Sequence, residues 1–119
     1  MTEKELVKLI FDALVKQGGP SLGEDGGCAY RGRNGRRCAA GVLMKDEEYS
    51  PKFEGTMSMS EGPWTAIVRS NPQYADYPYL IRSMQLAHDT AAEEAPFATK
   101  TRWRNALLDQ MGKQGIPKP

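Results

Sequence analysis

The side chains best suited to chemistry in this chain are two cysteines, Cys28 and Cys38, and a single histidine, His88, which Asp89 follows. A thiolate beside an imidazole can act as a nucleophile with its base, and thiolates together with an imidazole can bind zinc. Structural zinc sites usually show paired ligands at close spacing, and no second cysteine pair is present here. We therefore predict no metal site and no cofactor.

Each of these residues also has an ordinary structural interpretation. His88 shares a predicted helix face with Leu80 and Met84 while Asp89 points elsewhere, so we predict a satisfied histidine at the edge of the core. Free cysteine is among the most buried residue types, and we predict that both cysteines pack as small apolar side chains. No phosphate-binding loop, dinucleotide fingerprint or nucleophile elbow is present. We predict no catalytic residue, and a cysteine-dependent enzyme ranks third among the possible functions.

Arginine is concentrated in one short segment around Asn34-Gly35. Guanidinium groups bind phosphates bidentately, and a neighbouring aromatic ring can stack on a base. One hypothesis is therefore nucleotide or nucleic-acid binding by Tyr30, Arg31, Arg33 and Arg37. The formal charge of +1 lacks the basic excess usual in nucleic-acid binding proteins, and the acidic run 46–48 could balance the local charge.

The preferred hypothesis is that this segment contacts a protein. Two methionines on the aperiodic loop between Gly55 and Gly62 could add an adaptable apolar contact. The partner-binding residues predicted from the sequence are Arg31, Arg33, Arg36, Arg37, Met57 and Met59.

The elements that hold these residues are predicted from the spacing of apolar side chains and from helix end signals. Thr2 and Glu5 form a capping-box pattern before a helix that Gly18-Gly19-Pro20 ends. Three further helices are predicted in the second half of the chain, beginning near Pro63, near Pro78, and near Thr99 or Thr101. Together they predict one globular domain, residues 1–112, and a flexible tail, residues 113–119.

Between the first helix and the others the sequence predicts a β-hairpin, because Asn34-Gly35 tolerates the positive φ of a tight turn. A two-residue turn would pair Arg33 with Arg36, and a three-residue turn would pair Gly32 with Arg36. We prefer the second register, since it separates apolar from charged side chains. The run 38–44 could be strand or helix, and we expect a short strand passing quickly into a helix. The predicted fold is α+β, mainly helical with one small β-hairpin.

Composition favours an ordinary soluble domain, with 39% hydrophobic and 26% charged residues. The chain does not begin with a basic segment and an apolar run, and its apolar clusters are too short for a membrane span. Two cysteines without an export signal are expected to stay reduced. We expect a cytoplasmic protein without a membrane partner, and the oligomeric state stays open.

Residues 28–55 resemble a family of small proteins found in phages, prophages and bacteria. The recurring pattern matches Cys28, Tyr30, Arg31, Gly35, Cys38, Ala39, Gly41, Leu43, Asp46, Glu47, Tyr49, Glu54 and Gly55. Similar positions in the second half are Leu86, His88, Asp89 and Trp103. The resemblance implies no activity, but it implies a small intracellular protein from a phage or mobile element. In that setting we predict a non-enzymatic binding protein that blocks a host protein, for example a defence component.

Overall fold

Five α-helices build the protein, and the computed structural model describes all of residues 1–119. The helices are α1 (Glu3–Gln17), α2 (Ala39–Leu43), α3 (Glu61–Ser70), α4 (Pro78–Glu94) and α5 (Lys100–Lys113). Short 3₁₀ turns lie between them at Arg33–Gly35, Asp46–Glu48, Pro51–Phe53 and Pro72–Asp76. The fold is all-α, so the α+β prediction is wrong. None of the helices has the length and apolar content that crossing a membrane requires.

Both ends of α1 follow the sequence prediction. The Thr2 hydroxyl accepts the Glu5 N–H at 3.1 Å, and the Glu5 carboxylate accepts the Thr2 N–H at 2.9 Å. This reciprocal pair is the predicted capping box, which is confirmed. At the other end Gly18 takes the left-handed conformation, with φ of 83°, and stops the helix.

The core lies where α4 packs against α1, α2 and α5. The buried stripe predicted for α4 is confirmed, because the following residues are all buried: Leu80, Met84, Ala87, His88 and Ala91. Trp103 of α5 is fully buried and donates its indole N–H to the Leu14 carbonyl oxygen at 2.8 Å. The Leu14 carbonyl lies in the last turn of α1, where carbonyl groups have no hydrogen-bond partner within the helix. The indole therefore caps α1 and also fills the core.

The turn of the predicted β-hairpin forms, but its strands do not. The Gly32 N–H donates to the Arg36 carbonyl oxygen at 2.8 Å, which is the preferred pairing. Asn34 and Gly35 take positive φ of 60° and 71°. Beyond the turn no ladder continues, and the one β-type contact is an isolated bridge between Leu22 and Cys28.

The backbone groups that would pair in a β-ladder form hydrogen bonds with side chains instead. The N–H groups of Tyr30 and Arg31 donate to the two carboxylate oxygens of Glu54, at 2.9 and 3.1 Å. On the other arm, the Gln17 amide accepts the Arg37 N–H at 3.0 Å and donates to the Arg37 carbonyl at 2.8 Å. The hairpin prediction fails because the period of a short segment cannot reveal such distant side-chain partners.

Within the run 38–44, residues Ala39–Leu43 form α2, so the expected helix is confirmed and the short strand expected before it is wrong. Cys38 is the N-cap of this helix, and its sulfur accepts the Gly41 N–H at 3.4 Å. A Cβ atom at Gly41 would lie 2.4 Å from the Tyr30 carbonyl oxygen, so only glycine allows α2 to lie against the preceding segment.

The end of α5 closes onto the core. Gly115 has φ of 70°, and the Ile116 N–H donates to the Met111 carbonyl at 3.0 Å. This is a Schellman closure, and it seats Ile116 among buried side chains. The flexibility predicted for residues 113–119 stays a prediction, and of these residues only Ile116 is buried.

Candidate functional site

The hydrogen bonds around His88 fix the protonation of its ring. The Ser21 backbone N–H donates to Nε2 at 3.1 Å, and Nδ1 lies 2.9 Å from the Asp89 carboxylate. A backbone N–H can only donate, so Nε2 carries the lone pair and Nδ1 carries the proton. The ring is fully buried and meets Trp103 edge to face. The prediction of a satisfied histidine is confirmed, whereas the prediction that Asp89 points elsewhere is wrong.

Asp89 collects donors at the edge of this cluster. One carboxylate oxygen accepts hydrogen bonds from Gln85 at 2.8 Å and from His88 at 2.9 Å. The Cys28 thiol also lies beside it, with its sulfur within 4.8 Å of the Asp89 and His88 ligand atoms. Desolvation, together with the Asp89 charge and hydrogen bond, raises the pKa of Cys28 to about 12. At neutral pH Cys28 is therefore a thiol that donates, not a nucleophilic thiolate.

The two cysteines occupy different environments. Cys38 is buried, as predicted, and burial raises the pKa of its thiol to about 12. Cys28 is exposed, so the prediction that it packs inside is wrong. An imidazole lone pair could activate Cys28, but in His88 that lone pair already accepts the Ser21 N–H.

The three side chains Cys28, His88 and Asp89 are close enough to raise the question of a metal ion. A metal on Nδ1 of His88 would move the ring proton to Nε2. That proton would then face the Ser21 N–H, which lies 3.1 Å from Nε2. Two donors cannot share this contact, so the hydrogen-bonded arrangement of the cluster does not fit a metal ion.

The contacts of the Arg31 side chain are internal to the protein and stabilise its fold. Its guanidinium donates to the Gly41 and Met44 carbonyl oxygens at 2.8 Å each and to Asp46 at 3.1 Å. It also lies over the Tyr49 ring, 4.9 Å from the centroid. The side chain is only 17% exposed, and it binds two carbonyl oxygens at the C-terminal end of α2.

The other arginines of the segment have different environments. Arg37 donates to the same Asp46 oxygen at 2.9 Å, and Arg33 donates to the Glu24 carbonyl at 2.9 Å. Arg36 lies against the backbone of Gly19, where a Cβ atom would come within 2.5 Å of the guanidinium. Arg33 and Arg36 therefore keep charges that no carboxylate balances, while Arg31 and Arg37 share Asp46.

Tyr30, the stacking residue of the nucleotide hypothesis, is buried. Its hydroxyl donates to the Thr56 carbonyl at 2.6 Å, and burial raises the pKa of the phenol. Only 6% of the residue is exposed, which leaves little of the ring for a base to stack on.

A surface cleft of about 370 Å³ lies between α4 and the loop 55–58. Met57 forms part of one wall, and Arg82, Leu86 and Asp89 of α4 form part of the other, with Cys28 also in the lining. No arginine of the segment 31–37 lines it, so the structure brings Met57 to α4 and not to the arginines. The second predicted methionine, Met59, is half-buried against the core.

The outer side of α4 continues the cleft as one surface, which we call the α4 face. Its members recur at helical spacing: Tyr79, Arg82, Leu86, Asp89 and Glu93. Tyr79 is 80% exposed, Leu86 is 49% exposed, and Met57 across the cleft is 71% exposed. Sequence reasoning followed the buried stripe of this helix and missed Tyr79 and Leu86. The available signal was that these two apolar residues fall on the side opposite that stripe.

Comparisons with protein-family models, with curated proteins and with solved structures find no match to this chain.

Proposed function

We propose that this chain is a non-enzymatic protein-binding protein, and that its contact surface is the α4 face with the facing Met57. The observation that carries the proposal is the grouping of exposed apolar side chains. Six large apolar residues are exposed, and three of them belong to this region: Met57, Tyr79 and Leu86. Exposed apolar groups of this kind, rimmed by charged residues, are typical of surfaces that bind other proteins.

The state of the possible chemical groups also supports binding over catalysis. The only imidazole has both nitrogens engaged, by Ser21 and by Asp89. Both thiols have pKa values raised to about 12, so neither supplies an appreciable thiolate at neutral pH. A cysteine-dependent reaction would first have to displace the Ser21 N–H or move Asp89.

The biological role proposed here rests on the sequence resemblance alone. In a phage or mobile element, a small binding protein that masks a host protein would need only a contact surface and no active site. We propose a host protein of this kind, for example a defence component, and the cell cytoplasm as the place where binding occurs.

The contacts of its residues give the nucleotide alternative little support. Of its residues Tyr30, Arg31, Arg33 and Arg37, one is buried and two share Asp46. Arg33 alone keeps a charge that no carboxylate balances, and one guanidinium group is a weak basis for phosphate binding.

Two matched leucines test the proposed surface. Leu86 on α4 and Leu9 on α1 are exposed to similar extents, 49% and 38%. In capture experiments from a bacterial lysate, Leu86→Glu should abolish capture and Leu9→Glu should not. The charge reversal of Arg33 and Arg36 to Glu should also leave capture intact. If only the arginine variant loses the partner, the contact belongs to the arginine segment, and the proposed surface is wrong.

A further inference from the structure

The α4 face carries opposite charges at a spacing that makes it complementary to itself. Arg82 and Asp89 are seven residues apart. Along an α-helix that spacing is about 10 Å, and the two side chains differ by only about 20° around the axis. Both therefore lie along one edge of the same face, with Leu86 between them.

Arg82 has no ion pair or hydrogen bond within the chain. Asp89 is bound internally through one oxygen, yet its side chain remains 39% exposed. One unbalanced cation and one partly exposed carboxylate thus stand at the two ends of an apolar centre. A partner that fits this face must offer an anion, an apolar side chain and a cation in the opposite order.

The α4 face of a second copy offers this order when the two helices run antiparallel. A two-fold axis between Gln85 and Leu86 is equally distant from Arg82 and from Asp89. Rotation about it sets Arg82 opposite Asp89 of the second copy, and the reverse pair forms by symmetry. The two Leu86 side chains then meet near the axis, and Tyr79 falls near Glu93 of the second copy.

We infer that the α4 face is a homodimer contact, in which two copies pack α4 against α4 in antiparallel orientation. The inference rests on the proposed function, since it takes the same face as a protein-binding surface and names the occupant. In the dimer both Arg82 charges gain carboxylate partners, and Leu86 leaves water. A host protein that binds the α4 face would then compete with the second copy.

Sedimentation equilibrium over a concentration series tests the inference with the full chain. The wild-type mass should rise from 13.2 kDa toward twice that value. Leu86→Glu should remain monomeric, because two carboxylates would meet near the axis, and Leu9→Glu should associate as the wild type does. Arg82→Glu should raise the dissociation constant at least about tenfold, since it brings like charges together.

Cross-linking checks the orientation. In a Cys28→Ser background, Leu86→Cys should form a disulfide with its counterpart under copper–phenanthroline oxidation, and Leu9→Cys should not. A wild type that stays at 13.2 kDa at every concentration would overturn the inference. So would cross-linking that is equal at both positions.

These outcomes separate the inference from the proposed function. If the protein is monomeric but captures a bacterial protein through Leu86, the homodimer is wrong and the protein-binding surface stands. If it is monomeric and Leu86→Glu changes no capture, both are wrong.

Discussion

The arginine segment and the α4 face both combine arginine, carboxylate and aromatic side chains, but they use them for different purposes. In the segment, Arg31 binds three backbone carbonyls, Asp46 and the Tyr49 ring, and is 17% exposed. On the α4 face, Arg82 is exposed and has no partner in the chain. The dense charges of the arginine segment are thus used in contacts within the chain, whereas the sparser charges of the α4 face remain able to bind another molecule.

The difference explains why the most distinctive residues of the sequence are not those of the candidate contact surface. Glu54 accepts the N–H groups of Tyr30 and Arg31 and also the Tyr49 hydroxyl at 2.6 Å. Cys38 caps α2, and Gly41 lets α2 approach the Tyr30 carbonyl. These residues hold an irregular segment without a β-ladder, and a segment of that kind needs particular residues at particular positions.

The largest expected effect comes from Gly41→Ala, which would sharpen the structural interpretation of the segment. The new Cβ atom would lie 2.4 Å from the Tyr30 carbonyl oxygen, and backbone on both sides leaves little room to relax. We expect a loss of about 3 kcal/mol in the free energy of unfolding, measured by urea denaturation.

Gly112→Ala is the matched control for that change. No atom lies within 4 Å of the Cβ position at Gly112 in α5, so alanine should be neutral or should stabilise the helix by up to about 1 kcal/mol. Equal losses of stability at the two glycines would mean that the close contact between Gly41 and the Tyr30 carbonyl is not the cause of the Gly41→Ala effect.

A smaller effect is expected from Arg31→Lys compared with Arg33→Lys. Lysine has no planar fork, so it cannot bind the Gly41 and Met44 carbonyls and Asp46 together, and we expect a loss of about 2 kcal/mol. Arg33 is exposed, and its replacement should change stability by less than about 0.5 kcal/mol. If Arg33→Lys lowers the free energy of unfolding as much as Arg31→Lys does, the internal contacts of Arg31 do not stabilise the fold more than the contacts of Arg33.

The effect that is smallest at neutral pH, because it appears only in alkaline solution, concerns the titration of the buried Cys38. Its pKa rises from an ordinary 9.0 to about 12, mainly by burial, so the folded protein holds this proton more tightly than the unfolded chain does. The contribution to stability is complete below pH 9 and is lost as the pH rises toward 12. For one such group the slope is about 1.4 kcal/mol per pH unit. Urea denaturation between these pH values should show that the free energy of unfolding falls less steeply with pH in Cys38→Ala than in the wild type. An unchanged pH dependence would contradict the raised pKa of Cys38.

The helices could be predicted from the sequence because local signals define them. The capping box at Thr2 and Glu5 and the buried stripe of α4 are both confirmed. The β-hairpin could not be excluded, because its fate depends on Glu54, a side chain more than twenty residues along the chain from the N–H groups that it accepts. The environment of Asp89 was hidden for a similar reason, since Cys28 reaches it only in the folded protein.

Part of the candidate surface could be predicted and part could not. The sequence predicts Met57 as an adaptable apolar contact, and the structure exposes it at the cleft. The sequence does not predict a contact at Leu86 or Arg82, because an exposed leucine or arginine on an amphipathic helix carries no signal by itself. They gain meaning only from the neighbours that the fold supplies.

A backbone amide NMR dilution series tests the difference between the two regions most directly. We expect concentration-dependent shifts at Met57 and along residues 79–93, and constant shifts along residues 31–37, where the contacts are internal. The shifts should disappear in Leu86→Glu and persist in Leu9→Glu. Shifts confined to residues 31–37, with residues 79–93 unchanged, would contradict the assignment of the contact surface to α4.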